Sequence, residues 1–356
     1  MAAGDTDSKR CCYVTLITSP EYLPGAIILA HTLIRHNSAY PLLIQYTSSV
    51  GKECIEACEL EASRTSNRII PQQVDDLVPR NGQENTGSVA ARFKDTLTKL
   101  RAFQIYKQGY TTACFLDADM AIFNQSPDAV FDTILPGPDW IGANHACVCN
   151  LDNDAWAPEE WWKGNCAYTA ITGPDGVAPH ITEESRPTYH LLNSGMFLFH
   201  PSEKLWNDML RFFNTTDSLK TYQFPDQDFL DEFFHLSWKP MSWKYNALKT
   251  MRYWHPVMWS DQEVVVVHYI VDKPWERQVS EDGVAGHLGR DGVTHGWWWD
   301  LHNEWKEEVS RSGKGKETIL HTMQKLVNTR EMFTEKVPLR QDVGLLADCH
   351  RARVVY

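Results

Sequence analysis

Two carboxylates separated by a single residue, Asp117 and Asp119, directly follow an apolar segment at residues 112–116. Residues two apart at a strand end point to the same side, so both carboxylates can reach one cation. Their oxygen atoms suit Mg²⁺ or Mn²⁺, and such an ion can neutralise the diphosphate of a departing nucleotide. The alternative is a simple turn capped by Asp, because Asp-x-Asp also occurs by chance.

A histidine and a lysine later in the chain could complete such a site. His268 follows four consecutive Val residues and so leaves the end of a strand, and Lys273 precedes Pro274. An imidazole is a softer ligand than a carboxylate and shifts preference from Mg²⁺ toward Mn²⁺. Lys273 could contact a diphosphate as a point charge. Taken alone, this spacing is more typical of a buried His and a surface Lys.

Two further polar pairs stand at the start of predicted elements. Asn193 and Ser194 begin an apolar strand and could hydrogen-bond sugar hydroxyls. Asp226 and Gln227 begin a helical run and could face a reacting sugar. Each pair also has a purely structural interpretation. Asn193 and Ser194 could form a turn. Asp226 could be the N-cap of the helix, with Gln227 and Asp228 in its first turn.

The elements that would position these residues follow from hydrophobic periodicity. Strands are predicted at 13–18, 42–46, 68–71, 112–116, 194–199 and 264–269. Helices are predicted at 25–35, 52–63, 95–108 (ended by Gly109), 203–213 and within 300–333. The early β-α-β-α-β order implies a parallel sheet with right-handed crossovers. Ligands bind at the carboxyl ends of such strands, where Asp117 and Asp119 lie.

Residues 11–335 are interpreted as one domain without repeats or a linker. An irregular stretch at 145–190, which contains Pro, Gly, Trp and three Cys, predicts an ordered cover on the acceptor side of the site. Residues 280–295 suggest a surface loop, and the order of the C-terminal tail, 336–356, is uncertain.

The net charge, the cysteine count and the N-terminal sequence indicate the partners and the location of the protein. A formal net charge of −12 over 356 residues argues against nucleic acid or an anionic membrane as the main partner. The odd number of cysteines, nine, does not suit a disulfide framework. The N-terminus lacks the apolar core of a signal peptide, and the sequence shows no transmembrane run, so a cytoplasmic location is expected.

The chain is rich in tryptophan, with 14 residues. Ordinary packing is the first interpretation. The second is a set of sugar-stacking platforms, because two runs of adjacent indoles are hard to bury on one face: Trp161 and Trp162, and Trp297, Trp298 and Trp299.

Six short motifs occur in a specific order: YVTLIT (13–18), TLTKL (96–100), DAD (117–119), NSG (193–195), DQ (226–227) and HY…KPW (268–275). In this order and spacing the chain resembles the retaining glycosyltransferases of family 8, which include glycogenin and galactinol synthase, from about residue 13 to residue 277. Four features are closer to galactinol synthase: SAYPLLIQY (38–46), DQDFLDEFF (226–234), YNALKTMRYWHP (245–256) and the pair Cys147-x-Cys149.

The resemblance implies the GT-A fold, an α/β architecture with a doubly wound, mainly parallel sheet and helices on both faces. It implies UDP-glucose or UDP-galactose as donor, Mn²⁺ as cofactor (with Mg²⁺ as the alternative) and retention of the α-anomeric configuration. The acceptor would be a small hydroxylated molecule such as a polyol or a sugar. A homodimer is compatible with the resemblance.

The resemblance also assigns roles to residues of this sequence. Asp117, Asp119 and His268 would hold the metal. The catalytic groups around the transferred sugar would be Asn193, Asp226, Gln227 and Lys99. The donor contacts would be Leu16, Thr18, Ser19, Tyr22, Arg92, Lys99, Ala118 and Lys273.

Two mechanisms would retain the anomeric configuration. One forms a covalent intermediate on Asp226 or Asp228. The other is same-face attack, in which the leaving phosphate accepts the proton of the acceptor hydroxyl. The second is favoured because no strong base stands at an obvious position. Gln227 would then stabilise the developing positive charge through its side-chain carbonyl.

The sequence departs from glycogenin near Lys273, where Ile270, Val271 and Asp272 replace a glycine-containing loop, and at Ser19, where glycogenin has Asn. Tyr253 stands about where glycogenin carries its self-glucosylated tyrosine. A self-glycosylating primer is therefore an alternative function, and a UDP-sugar-binding protein without turnover is another.

Overall fold

The computed structural model describes residues 10–79 and 95–328, and its core is a seven-stranded sheet. The strands of this sheet are β1 (Cys11–Ile17), β2 (Leu42–Tyr46), β3 (Ile69–Gln73), β4 (Thr112–Leu116), β6 (Ile141–His145), β7 (Leu192–Phe199) and β8 (Trp238–Pro240). They lie in the order β3-β2-β1-β4-β7-β6-β8. Strand β7 runs antiparallel to both of its neighbours, and the other pairings are parallel. The predicted mainly parallel sheet is confirmed.

A smaller sheet lies beside the large one. It consists of β5 (Met120–Ile122), β9 (Ala247–Leu248) and β10 (Val266–His268), in the order β5-β10-β9. Strand β5 follows β4 after a gap of three residues that contains both aspartates. The two sheets therefore meet at the Asp-x-Asp motif.

Helices cover both faces of the large sheet, as predicted. They are α1 (Leu23–Arg35), α2 (Lys52–Arg64), α3 (Glu203–Thr215), α4 (Pro225–Phe233), α5 (Met251–Trp254), α6 (Gly292–Arg311) and α7 (Lys316–Leu326), together with a 3₁₀ helix at Thr96–Gln108. Because alternate strand residues face opposite sides, Tyr13 and Ile17 of β1 pack in a core with α1, α2, α6 and α7. Val14 packs in the other core, with Thr96–Gln108, α3 and α4.

Several boundaries differ from the sequence prediction. The helix expected at 95–108 is of 3₁₀ type, and it ends at Gly109, whose φ of 79° requires the left-handed conformation that glycine allows. Part of the expected loop at 280–295 is helical, because α6 begins at Gly292. The region 300–333 holds the end of α6 and a separate helix α7. Residues 329–335 and the tail 336–356 lie outside the described residues.

The stretch 145–190 is irregular, as expected, with only short 3₁₀ turns at Lys163–Asn165, Ala167–Ala170 and Pro187–Tyr189. The proposed indole platforms are mostly buried instead. Trp161, Trp298 and Trp299 belong to the core, and Trp297 packs against Phe123. Of these five indoles, only Trp162 is largely exposed, so the sugar-stacking interpretation fails for most of them.

Within the described residues, no helix is both long and apolar enough to cross a bilayer.

Candidate active site

Strand pairing brings three of the motifs together. The backbone N–H of Asp117 donates to the carbonyl of Gly195 at 2.8 Å, since β4 and β7 are neighbours. The N–H of Tyr269 donates to the carbonyl of Asp119 at 2.9 Å, since β5 and β10 are neighbours. The Asn193 motif and His268 therefore both lie beside the two aspartates.

An open cleft with a cavity volume of about 130 Å³ lies at this junction. Its lining residues are Leu16, Thr18, Tyr22, Thr96, Lys99, Asp117, Ala118, Asp119, Asn193, Ser194, Gly195, Phe224, Asp226, Gln227, His268, Ile270 and Lys273.

Asp117, Asp119 and His268 place one possible ligand atom each within 4.8 Å of one another. Nε2 of His268 lies 3.3 Å from Oδ1 of Asp119 and 3.8 Å from Oδ2 of Asp117. On its other side, the imidazole donates from Nδ1 to Oδ1 of Asn246 at 2.9 Å. This hydrogen bond leaves the lone pair on Nε2, the atom that faces the carboxylates. The three residues therefore fit a divalent cation.

Two lysines lie among the carboxylates of the cleft. Lys273 forms an ion pair with Asp119 and donates to the carbonyl of Tyr269 at 3.0 Å. Lys99 lies 2.8 Å from Oδ1 of Asp117 and 2.6 Å from Oδ2 of Asp226. Burial lowers the pKa of Lys99, but these two carboxylates outweigh it and raise the pKa above its usual value. Lys99 is thus charged at any physiological pH.

Burial acts on the two aspartates in the same direction, but their partners differ. Burial raises the pKa of Asp117, with Lys99 opposing it. Burial also acts to raise the pKa of Asp119, but the charge of Lys273 holds that pKa well below its usual range. Among the described lining residues, three carboxylates face two lysines, which leaves an excess of one negative charge. A divalent cation would reverse that sign and favour an anionic ligand.

A row of side-chain amides continues from the imidazole. Asn246 accepts from His268 and donates from Nδ2 to Oδ1 of Asn193 at 2.8 Å. Asn193 in turn donates from Nδ2 to Oε1 of Gln227 at 3.3 Å. One hydrogen-bonded row thus runs from the candidate metal ligands to the residue expected beside the transferred sugar.

Asp226 does not cap helix α4, which corrects the purely structural interpretation of this residue. It lies in the first turn and contacts Lys99 and the hydroxyl of Ser194, which donates at 2.8 Å. Asp228 supports the helix start instead, since its Oδ2 accepts from the backbone N–H groups of Gln223 at 2.7 Å and Phe224 at 3.0 Å. Asp226 faces the cleft, whereas Asp228 is not among the lining residues.

Comparison with known proteins agrees with this geometry. A family model described as Glycosyl transferase family 8 matches residues 13–279, well over half of the chain. The chain belongs to glycosyl transferase family 8. This confirms the predicted resemblance and the predicted enzyme class, a UDP-sugar-dependent hexosyltransferase.

Curated family 8 relatives include galactinol synthases. Galactinol synthase 1 of Solanum lycopersicum is 26% identical over 307 residues, which cover 85% of each chain. Galactinol synthase 1 of Arabidopsis thaliana is 27% identical over 337 residues, 92% of this chain and 88% of its own. These matches extend over most of the chain. They support the resemblance to galactinol synthase that the sequence motifs indicated.

Solved structures share the fold. The galactosyltransferase LgtC, in complex with donor and acceptor sugar analogs, superimposes with a TM-score of 0.51 at 15% identity, over 82% of this chain and 95% of that one. An active-site mutant of LgtC gives a TM-score of 0.53 at 15% identity, with the same coverage of both chains. At this level of identity the likeness shows the GT-A fold, which confirms the predicted fold class.

The structure places most of the expected donor contacts of this family 8 enzyme on the cleft. Leu16, Thr18, Tyr22 and Ala118 line it. Ser19 does not line it and begins the 3₁₀ turn Pro20–Tyr22. Arg92 lies outside the described residues.

Tyr253 lies apart from the lining residues of the cleft. Its ring packs against the guanidinium of Arg290, which is 5.5 Å from the ring centroid, and it is partly buried at the edge of the core.

The loop between His268 and Lys273 shows the effect of the missing glycine. Val271 has a φ of 64°, a left-handed conformation that costs a β-branched residue about 1–3 kcal/mol. Buried Lys249 holds the loop in place: its Nζ donates to the carbonyl of Asp272 at 2.8 Å and pairs with buried Asp291 at 2.7 Å. This pair holds the backbone beside Lys273.

The roles of two residues of the candidate active site were not predicted from the sequence. Asn246 enters the sequence interpretation only as part of the segment 245–256, yet it sets the tautomer of His268. Ser194 is expected to bond sugar hydroxyls, yet it donates to Asp226. Asn246 is fully buried, and a buried asparagine side chain normally has hydrogen-bond partners inside the protein. Residue type alone does not reveal that the residue is buried.

Proposed function

We propose that this family 8 enzyme is a Mn²⁺-dependent retaining glycosyltransferase that moves galactose or glucose from a UDP-sugar to a small polyol or sugar, as a galactinol synthase does. The observation that carries the proposal is the single cleft in which Asp117, Asp119, His268 and Lys273 adjoin Asn193, Asp226 and Gln227. The relatives' name favours galactose as the sugar.

Each group of residues has a distinct task in this proposal. Asp117, Asp119 and His268 would hold the Mn²⁺ ion, which supplies positive charge to the diphosphate of the donor when it is bound. Lys273 lies beside Asp119 and would contact the diphosphate directly. Leu16, Thr18 and Tyr22 at the end of β1 would receive the uridine.

The transfer step is same-face attack. The bond between the anomeric carbon and the phosphate oxygen breaks, and the bond to the acceptor oxygen forms on the same face. The acceptor proton passes to the leaving phosphate oxygen. Gln227 lines the cleft, and its side-chain carbonyl, which accepts from Asn193, would stabilise the developing positive charge.

The contacts of Asp226 and Asp228 bear on the covalent alternative. Oδ2 of Asp226 pairs with Lys99 at 2.6 Å and accepts from Ser194, so that oxygen is engaged and only Oδ1 could attack the sugar. Asp228 bonds the backbone at the start of α4 instead of facing the cleft.

The deciding experiment is a donor panel followed by an acceptor panel that includes myo-inositol. Purified protein should release UDP from UDP-galactose or UDP-glucose only with Mn²⁺ and acceptor present, and the product should keep the α-configuration. Binding of UDP without sugar release for any acceptor would favour a binding protein without turnover. Hexose on Tyr253 in the intact-mass spectrum would favour the self-glycosylating primer.

Replacing Asp226 with Asn tests the transfer step. Same-face attack predicts reduced turnover without accumulation of a covalent species, because Asp226 then acts through Lys99. A glycosyl-enzyme trapped on the protein and detected by mass spectrometry would overturn this mechanism. The cytoplasmic location, the homodimer and the absence of a nucleic-acid partner stay predictions.

A further inference from the structure

A second group of metal-binding side chains lies outside the cleft. It consists of Cys147, Cys149, Cys166 and His255, and one ligand atom of each lies within 4.8 Å of the others. All four residues are buried, with exposed fractions between 0 and 4%. None of them is among the lining residues of the cleft or belongs to the group around Asp117 and Asp119. We call these four residues the Cys₃His cluster.

Three of the four measured distances within the Cys₃His cluster match a tetrahedral centre, and the distance between Cys149 and His255 is shorter. A zinc ion with Zn–S near 2.3 Å and Zn–N near 2.0–2.1 Å has S–S edges of about 3.8 Å and S–N edges of about 3.6 Å. Nε2 of His255 lies 3.5, 3.1 and 3.6 Å from the sulfur atoms of Cys147, Cys149 and Cys166. The sulfur atoms of Cys147 and Cys166 are 3.9 Å apart.

The alternative for neighbouring thiols is a disulfide. A disulfide bond is about 2.05 Å long, about half the separation of the sulfur atoms of Cys147 and Cys166. No cysteine in the described part of the chain forms one. A disulfide would also use two of the thiols and leave the third beside the imidazole without a covalent partner.

The donor set itself selects the metal. Three thiolates and an imidazole are soft and borderline ligands that prefer Zn²⁺ over Mn²⁺ or Mg²⁺. Four protein ligands complete a tetrahedral shell and leave no open position for water or substrate. Burial of all four ligands excludes solvent. These features are those of a structural zinc site.

We propose that Cys147, Cys149, Cys166 and His255 bind one Zn²⁺ ion that fastens the irregular segment 145–190 to the domain. Cys147 and Cys149 follow β6, Cys166 lies between two short 3₁₀ turns, and His255 follows α5. The ion therefore joins three stretches of chain that are distant in sequence. Because the segment 145–190 contains no strand or long helix after His145, its backbone hydrogen bonds are mostly local turns within the segment rather than bonds to the rest of the domain.

The zinc site also supports one wall of the cleft. Trp161, five residues before Cys166, stacks on Phe224 with a ring separation of 6.2 Å and an interplanar angle of 10°. Phe224 lines the cleft beside Asp226 and Gln227. The support of this wall by the zinc site rests on the proposed function, in which the wall faces the acceptor. The zinc site itself does not depend on that function.

Metal analysis of the purified protein tests the site directly. The full chain, expressed with zinc in the medium and purified without chelators, should contain about one zinc per chain by plasma mass spectrometry. Blocking the thiols with an organomercurial should release that zinc to a chromogenic indicator. A wild-type protein that holds well under half a zinc per chain, or a disulfide within the Cys₃His cluster in its peptide map, would overturn the proposal.

Substitutions distinguish zinc binding by the Cys₃His cluster from the function of the cleft. His255→Ala and Cys166→Ser should lose most of the zinc, whereas His255→Cys, which restores four ligands, should retain it. Cys58→Ser changes an equally buried cysteine outside the cluster and should leave the zinc content unchanged. Asp119→Asn should also keep the zinc, so failure of the glycosyltransferase proposal and failure of this one are distinguishable. Loss of zinc from Cys58→Ser, or its retention in both His255→Ala and Cys166→Ser, would contradict the assignment.

Limited proteolysis supplies a readout that does not depend on activity or on a folded variant. Wild-type protein should resist cleavage within 145–190 and become sensitive there after zinc is removed, and added Zn²⁺ should restore resistance. Equal cleavage with and without zinc would show that the ion does not fasten this segment.

Discussion

A Cβ atom on Gly195 would lie 2.3 Å from Cε1 of His268. Contacts this short do not occur, and the ring cannot simply rotate away, because Asn246 holds its Nδ1. The absence of a side chain at position 195 therefore allows the imidazole to stand beside the two aspartates. Gly25 has a similar role, since its Cβ would lie 2.3 Å from the carbonyl oxygen of Ala118.

Gly195→Ala should displace the imidazole and weaken the response to Mn²⁺. We expect kcat/KM at limiting Mn²⁺ to fall roughly 10–100-fold, the usual cost of disturbing the support of a metal ligand. The measurement is a Mn²⁺ titration of initial rate. Gly296→Ala is the control, because no described atom lies within 4 Å of that Cβ in helix α6. A normal Mn²⁺ titration for Gly195→Ala would refute the packing argument.

Asn246→Ala removes the acceptor that fixes the proton of His268 on Nδ1. The imidazole can then adopt the other tautomer, whose Nε2–H cannot bind a metal, so the apparent Mn²⁺ affinity should fall about 10–100-fold. Isothermal titration with Mn²⁺ measures this without a substrate. Asn303→Ala, at an exposed position of α6, should bind Mn²⁺ as the wild type does. Unchanged affinity in Asn246→Ala would show that this asparagine only fills space.

Lys249→Met leaves the carboxylate of Asp291 buried without its partner. Breaking a buried pair by removing one member costs about 3–5 kcal/mol of unfolding free energy, and a large fall in Tm should follow. The matched control is Lys244→Met, whose partners Asp175 and Glu263 are exposed, so its loss should cost at most about 1 kcal/mol. Equal destabilisation by the two variants would contradict this account of the loop at 270–273.

Asp228→Asn should change how stability depends on pH. Burial raises the pKa of Asp228 from an ordinary value of 3.8 to about 6, against two backbone N–H groups that lower it. The protonated form therefore favours folding. Its contribution is fully present below about pH 4 and is lost as the pH rises through about 6. Relative to Asp228→Asn, the wild type should lose about 2 kcal/mol of unfolding free energy across this range.

Urea denaturation of both proteins between about pH 4 and 7.5 measures this difference. Two curves that stay parallel over the whole range would show that the carboxyl of Asp228 titrates alike in the folded and unfolded chain.

Six of the ten described strands, and the position of the Asp-x-Asp motif at the end of β4, were predictable from the sequence, because apolar runs and turn residues mark them. Six ordered motifs then located the residues that line the cleft. The boundary at Gly292 was not predictable, since the Gly and charge content of 280–295 is equally typical of a loop. The 3₁₀ type of the long helix at Thr96–Gln108 was not predictable either, because 3₁₀ runs longer than three or four residues are uncommon.

Contacts between distant segments were the main part of the site that sequence could not supply. Cys166 and His255 are 89 residues apart, yet folding brings the sulfur and Nε2 atoms within 3.6 Å of each other. The same holds for Asn246 and His268, which meet only because β9 and β10 pair. The adjacent indoles of α6 agree with the first interpretation, ordinary packing, because a helix can bury neighbouring residues between two different packing partners.

The hydrogen-bonded row from His268 through Asn246 and Asn193 to Gln227 makes the two ends of the cleft thermodynamically linked. A ligand that fixes the imidazole also orders the amide at the other end, and a sugar held by Gln227 orders the imidazole. Linkage is reciprocal, so the factor by which the metal tightens sugar binding must equal the factor by which the sugar tightens metal binding. In the proposed function, donor selectivity is therefore expected to depend on the whole row as well as on the residues that touch the sugar.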